Sequence, residues 1–183
     1  MRAACGAAAL VGCALALLAP MARAQEVGRF GVQLGSSLLV PQPSRVDLAG
    51  FHFGFDSSWA LKWHFGPVIQ LDVTRYGAEP ETLWTATGSA GFRFFETVPY
   101  LKPLAFYVTA QAVVLGSTHP IQGLKEIGFG TAPQQRSFIG GQGEFGLEWA
   151  SGTLNYGVTG RVQALVAGVN VVSISLVIGL FSP

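Results

Sequence analysis

The sequence has 183 residues, 50% of them hydrophobic and only 11% charged. That charge fraction is less than half the roughly 25% of an ordinary soluble domain, and the high hydrophobicity excludes disorder. The formal net charge is +1, and once Arg2 and Arg23 are set aside nine basic residues face ten acidic ones, so there is no basic field to hold nucleic acid.

The first segment reads as an address. Met1 and Arg2 are followed by an apolar run ending in Leu15-Ala16-Leu17-Leu18, Pro20 breaks the run, and Ala22-Arg23-Ala24 precedes Gln25. This order predicts a cleaved secretory signal peptide over 1–24, leaving a mature chain over 25–183. Leu10-Val11-Gly12-Cys13 also fits a lipoprotein cleavage box, but the apolar run continues past it. Cys5 and Cys13 both fall within this segment, so the mature chain is expected to have no disulfide, thiol nucleophile or cysteine-ligated metal. The only stretch long enough to be weighed as a spanning helix, 164–180, is rich in Val and Ile and interrupted by Asn170, Ser173 and Ser175, which favours strand.

Beyond the signal peptide the dominant period is two. In the first predicted strand Phe30, Val32, Leu34, Leu38 and Val40 oppose Gly31, Gln33, Gly35 and Ser37. The second, over 51–65, sets Phe51, Phe53, Phe55, Trp59, Leu61, Trp63 and Phe65 against His52, Gly54, Asp56, Ser58, Ala60, Lys62 and His64. After Gly66-Pro67, Ile69, Leu71 and Val73 alternate with Gln70, Asp72 and Thr74. The fourth strand carries Trp84, Ala86, Ala90, Phe92 and Phe94 against Thr85, Thr87, Ser89 and Arg93. The fifth carries Phe106, Val108, Ala110, Ala112 and Val114 against Tyr107, Thr109 and Gln111. In the sixth Ile139, Phe145, Leu147 and Trp149 oppose Gln142, Glu144 and Glu148. In the seventh Leu154, Tyr156, Val158, Val162 and Ala164 oppose Asn155, Thr159, Arg161 and Gln163. The last has Val172, Ile174, Leu176, Ile178 and Leu180 against Ser173 and Ser175. Such alternation marks strands with one apolar and one polar face, each about long enough to cross a bilayer at a tilt.

Tight turns are expected at Gly66-Pro67 and Ala150-Ser151-Gly152, with a longer Pro-bounded connection over 96–103 on the same side. The connections after the first and third strands are of medium length, and the one after the fifth runs over 117–136. Short turns on one side and long loops on the other are the asymmetry of an outer-membrane barrel, with both termini in the periplasm. Phe30, Trp63, Phe65, Phe92, Phe94, Phe106, Trp149, Tyr156 and Phe181 map near the periplasmic strand ends as an aromatic girdle. The polar face is mostly Gly, Ser, Thr and Gln, unlike the Lys- and Glu-rich exterior of a soluble barrel. The predicted fold is an all-β, eight-stranded antiparallel up-and-down transmembrane barrel.

In these features, over 27–181, the chain resembles the small OmpA-type and OmpX-type outer-membrane barrels. The resemblance implies a bacterial outer-membrane location and a monomer among lipid and lipopolysaccharide, inserted by the outer-membrane assembly machinery. The chain departs from the family at its end, where Ser182-Pro183 follow the aromatic Phe181.

Eight strands leave a bore just wide enough for side chains to fill. Asp56, Lys62, His64, Asp72, Arg93, Glu144, Glu148 and Arg161 are expected to form a lumen network. A hairpin folded about Pro67 sets Lys62 opposite Asp72 and His64 opposite Gln70. The hairpin before strand seven sets Glu144 opposite Thr159 with Arg161 diagonal. Charges so confined must be paired.

No enzyme is expected. His52, Asp56 and Ser58 share one face and supply the parts of a hydrolase, and the resemblance suggests a lipid A-modifying activity. Yet i to i+4 along a strand is about 13 Å, too far for contact. The remaining hydroxyl–imidazole pair is Ser117 with His119. Gly141-Gln142-Gly143-Glu144-Phe145-Gly146 matches a dinucleotide fingerprint, but inside an alternating strand rather than at a strand-to-helix turn. No metal site and no cofactor are expected. A surface ligand, if there is one, is expected at loop 117–136. The functional expectation is a structural or surface-interaction barrel, with a narrow solute channel as the alternative and a soluble lipocalin-like carrier further behind.

Overall fold

The computed structural model describes residues 27–40, 49–60, 64–77, 82–97, 103–121, 135–166 and 168–182. The expected signal peptide over 1–24 lies outside the described residues, as do Lys62 and Trp63. Eight strands are present: β1 (Val27–Val40), β2 (Ala49–Ala60), β3 (Phe65–Tyr76), β4 (Leu83–Thr97), β5 (Leu104–Ile121), β6 (Gln135–Ser151), β7 (Leu154–Leu165) and β8 (Val169–Ser182). Each pairs antiparallel with its sequence neighbour, and β8 pairs with β1 to close the barrel. Among the described residues no helix is long and apolar enough to cross a membrane.

The registers set the shape. Following partners from Arg29 to Ser58, Val68, Gly91, Gln111, Gln142, Gln163 and Val171 returns to β1 at Leu39, ten residues beyond the start. With standard strand spacings that stagger tilts the strands by about 40°. At this tilt the run from Phe30 to Val40 climbs about 25 Å, the height of an apolar band in lipid.

Burial is inverted relative to a soluble protein. Outward residues such as Ile174 and Leu176 are 64% and 65% exposed, whereas inward Gln33, Asp56 and Gln70 are at most 1% exposed. A wall of exposed Leu, Ile, Val and Phe around a buried polar bore requires an apolar surrounding medium. Near the rim that holds both termini the outward face is aromatic. Phe65 pairs with Phe94 and Trp149 with Tyr156, the Phe65 and Phe92 rings stack with centroids 5.1 Å apart, and Phe94 lies against Phe106. Phe30 shares this outward face and contacts Phe55.

Two expected turns are corrected. Gly66-Pro67 does not turn the chain; both lie within β3, which starts at Phe65 after β2 ends at Ala60, and His64 just before it adopts a positive φ of 57°. The β2–β3 ladder ends at Ser58 opposite Val68, so Pro67 lies past it and its missing N–H breaks no bond on that side. Asp72 therefore sits opposite Gly54 and Gln70 opposite Asp56, in place of the expected Lys62 and His64 partners. In the β6–β7 hairpin Ser151 pairs with Leu154, leaving a two-residue turn whose Gly152 takes φ 66°. The pairing is therefore shifted by two residues from the expected one, and Arg161, not Thr159, lies directly opposite Glu144. The β7–β8 connection on the far rim is also tight, turning at Gly168 (φ 74°).

Candidate functional site

The bore is crossed by one connected polar cluster. Arg29 reaches from β1 to two strands: Nη1 donates to Asp56 Oδ2, Nη2 to Glu148 Oε1, and Nε to Glu148 Oε2 at 3.1 Å. Glu148 also accepts from Asn155 Nδ2. Arg93 on β4 donates through Nη1 to Ser58 Oγ at 3.1 Å and lies 2.8 Å from the same Asp56 oxygen, with Nη2 3.5 Å from Glu144. The Arg93 guanidinium sits 4.1 Å from the Tyr107 ring centre and that of Arg29 lies 5.6 Å from it, so one phenol faces two cations.

Arg161 forms the next bar. Nη1 donates to Asp72 Oδ2 at 2.7 Å, Nε to Glu144 Oε2 at 3.1 Å and Nη2 to Gln33 Oε1 at 2.5 Å. Because β7 and β3 stand opposite each other in an eight-stranded wall, the Arg161–Asp72 pair spans the bore. Gln70 is the hub between the bars. Its Nε2 donates to Gln33 and Glu144, and its Oε1 accepts from Gln111 and Gln142, which in turn accepts from Gln163. All of these side chains are at most 6% exposed. Ionised and amide groups in such a bore are stabilised by partners, and here the guanidinium forks and amides provide most of them, while Asp72 Oδ1, Arg93 Nε and Glu144 Oε1 accept or donate no hydrogen bond among the described residues.

Glycines make room for this cluster. A Cβ on Gly31 would lie 2.3 Å from Asp56 Oδ1, and one on Gly54 2.0 Å from Asp72 Oδ1. Gly146 underlies the Tyr107 ring, where a Cβ would come within 2.2 Å of Cζ. This gives the glycines of 141–146 their setting: the segment runs through the middle of β6, Gly141 and Gly143 face open space on the outside, and Gly146 accommodates a phenol.

Of the residues named from sequence, Asp56, Asp72, Arg93, Glu144, Glu148 and Arg161 are brought together in the bore. His64 is corrected: it is exposed at the β2–β3 turn, because the turn comes before Gly66-Pro67 and releases it from the ladder. Arg29, Tyr107, Asn155 and the glutamine hub were not named as members. Arg29 shares the parity of Gly31 and Gln33, which is the signal that could have found it.

The hydrolase arrangement does not assemble. His52 Nδ1 is 3.1 Å from Ser37 Oγ and Nε2 is 2.6 Å from Ser175 Oγ, while Asp56 is engaged by Arg29 and Arg93 and Ser58 holds Arg93. The imidazole thus has a hydroxyl on each nitrogen and no orienting carboxylate, and it is 1% exposed. Of the expected ligand loop 117–136, residues 122–134 lie outside the described residues, as does the side chain of His119. The backbone there shows a register break between Gly116 and Ile121. Among the described residues no cluster of three or more His, Cys, Asp or Glu could hold a metal.

No protein-family model matches the chain, and no curated protein sequence matches it. Solved structures do. The chain is similar to Ail, the attachment invasion locus protein of Yersinia pestis, at 14% identity and TM-score 0.59, over 86% of this chain and 99% of that one. Neisserial surface protein A matches at 13% identity and TM-score 0.54, over 84% and 95%. The N-terminal β-barrel domain of OprF from Pseudomonas aeruginosa matches at 12% identity and TM-score 0.53, over 86% and 98%. At these identities the likeness is one of fold: the chain has the fold of the small eight-stranded outer-membrane barrels.

Proposed function

We propose that this chain is a non-enzymatic outer-membrane barrel with a structural or surface-interaction role. In this reading it stands as a monomer among lipid and lipopolysaccharide after insertion by the assembly machinery. The rim that holds both strand termini faces the periplasm, and loop 117–136 is the expected place for a surface ligand. The observation that carries the reading is the bore itself. Arg29, Arg93 and Arg161 tie carboxylates on β2, β3 and β6 across the lumen, leaving the outer connections as the place where a partner could be met. The names of two structural neighbours, an attachment protein and a surface protein, support the same direction.

The test has two parts. Detergent-extracted outer membranes are run on SDS gels boiled and unboiled, where a folded barrel shows a heat-dependent mobility shift. The purified chain is then placed in planar bilayers, where no unitary conductance is expected. A soluble periplasmic protein without the shift would overturn the location, and regular conductance steps would favour the narrow channel. An altered lipid A mass in cells making the protein would establish an enzyme instead.

A further inference from the structure

We infer that a ring of apolar side chains closes the far mouth of the barrel by itself, independently of the charged cluster beneath it. Leu39, Leu83, Leu115, Phe138, Leu165 and Val169 come from β1, β4, β5, β6, β7 and β8, all point inward, and pack as one buried group. Tyr76 adds β3, and its ring lies over Gly50 of β2, where a Cβ would come within 2.5 Å of the ring. Seven of the eight strands therefore contribute side chains to the ring, and the Tyr76 ring covers Gly50 on the eighth, β2.

The registers hold the ring at one level. Leu39 pairs with Val171, Tyr76 with Leu83, Leu115 with Phe138 and Leu165 with Val169. The boundary with the polar bore follows the ring, lying two residues lower on β5, below Val113. Two residues nearer the termini rim, Leu39 gives way to Ser37, Leu165 to Gln163 and Val171 to Ser173, all buried and inward. No member of the ring is more than 5% exposed. The one polar atom among the ring's side chains, the Tyr76 hydroxyl, is hydrogen-bonded with Ser37 and Thr74, so an ion entering the ring would shed its hydration without replacement, which is how apolar constrictions block conduction. The arginine–carboxylate cluster is then a device for fixing the barrel wall, and the ring is the seal.

This inference rests on the chain being a membrane barrel, and the heat-dependent gel shift reports that premise separately. The test compares refolded full-length variants in planar bilayers bathed in potassium chloride. The cluster-weakened Asp72→Ala/Arg161→Ala variant should stay silent. Adding Leu115→Ser/Phe138→Ser should produce unitary steps. Steps from the cluster-weakened variant alone overturn the inference, as does silence from the combined variant while it retains its gel shift. Should the combined variant not fold, Ser173→Cys is introduced beneath the ring of the cluster-weakened chain. A charged, membrane-impermeant thiol reagent supplied from outside whole cells should leave it unlabelled, and labelling overturns the inference.

Discussion

Replacing Arg161 by Met tests whether the lumen cluster holds the wall together. The substitution removes three charge-assisted bonds at once, to Asp72 at 2.7 Å, Glu144 at 3.1 Å and Gln33 at 2.5 Å. Glu144 retains Gln70 and lies 3.5 Å from Arg93, but among the described residues Asp72 is ion-paired with no other cation. The variant thus leaves a nearly fully buried carboxylate without its counter-charge, which costs about 3–5 kcal/mol. The cost comes mainly from the stranded charge, so Asp72→Leu/Arg161→Met should recover most of it and lie within about 1 kcal/mol of the parent. The assay is urea unfolding in lipid vesicles followed by tryptophan fluorescence, since Trp84 and Trp149 face the lipid. Midpoints at constant slope give the free energies. A single variant within about 1 kcal/mol of the parent, or a double variant no better than the single, would refute the reasoning.

Two glycines of β6 should respond in opposite ways. Gly146→Ala drives a methyl into the Tyr107 ring, itself held against Arg93, and should destabilise by about 1–3 kcal/mol in the same assay. Gly143→Ala meets nothing within 4 Å and should be neutral or gain up to about 1 kcal/mol. On the outer face, Ile174→Lys places a charge in the middle of the exposed apolar band of β8 and should cost about 2–4 kcal/mol. Asn170→Lys, at the far end of the same strand opposite Val40, should cost no more than about 1 kcal/mol; equal costs at the two depths would contradict the placement of the band.

The strand count and the facing of most residues were legible because period two survives any error in the turns. Pairing is less forgiving. Gly66-Pro67 carries the strongest local turn chemistry in its region, yet it lies within β3, which already starts at Phe65. Proline can remain in β3 because it lies beyond the β2 ladder, a fact about the neighbouring strand rather than about the dipeptide. The consequence was a wrong partner for Asp72: Arg161 on β7, across the bore, not the residue set opposite it by the hairpin. Closure makes such contacts. Hairpin arithmetic relates adjacent strands, whereas the ion pairs that matter most join β1 to β6 and β3 to β7.

The apolar ring was invisible for a different reason, although its trace lies in the sequence. Alternation sorts residues by parity and tacitly assigns the apolar set to one face. At the far ends of several strands the alternation fails: Leu38-Leu39-Val40 in β1, Val113-Val114-Leu115 in β5 and Val171-Val172 in β8 are consecutive apolar residues. A continuous apolar run is what a strand shows when both its faces are covered by apolar surroundings. Here one face meets lipid, with Leu38, Val40, Val114 and Val172 exposed, and the other meets the ring, with Leu39, Val113, Leu115 and Val171 buried. Nearer the termini most inward positions are polar, with Arg29, Gln33, Thr109 and Ser175 among them, although Val68 and Val177 are also buried and inward there. The breaks at Leu39, Leu115 and Val171 coincide with the apolar ring, where the bore changes from polar to dry.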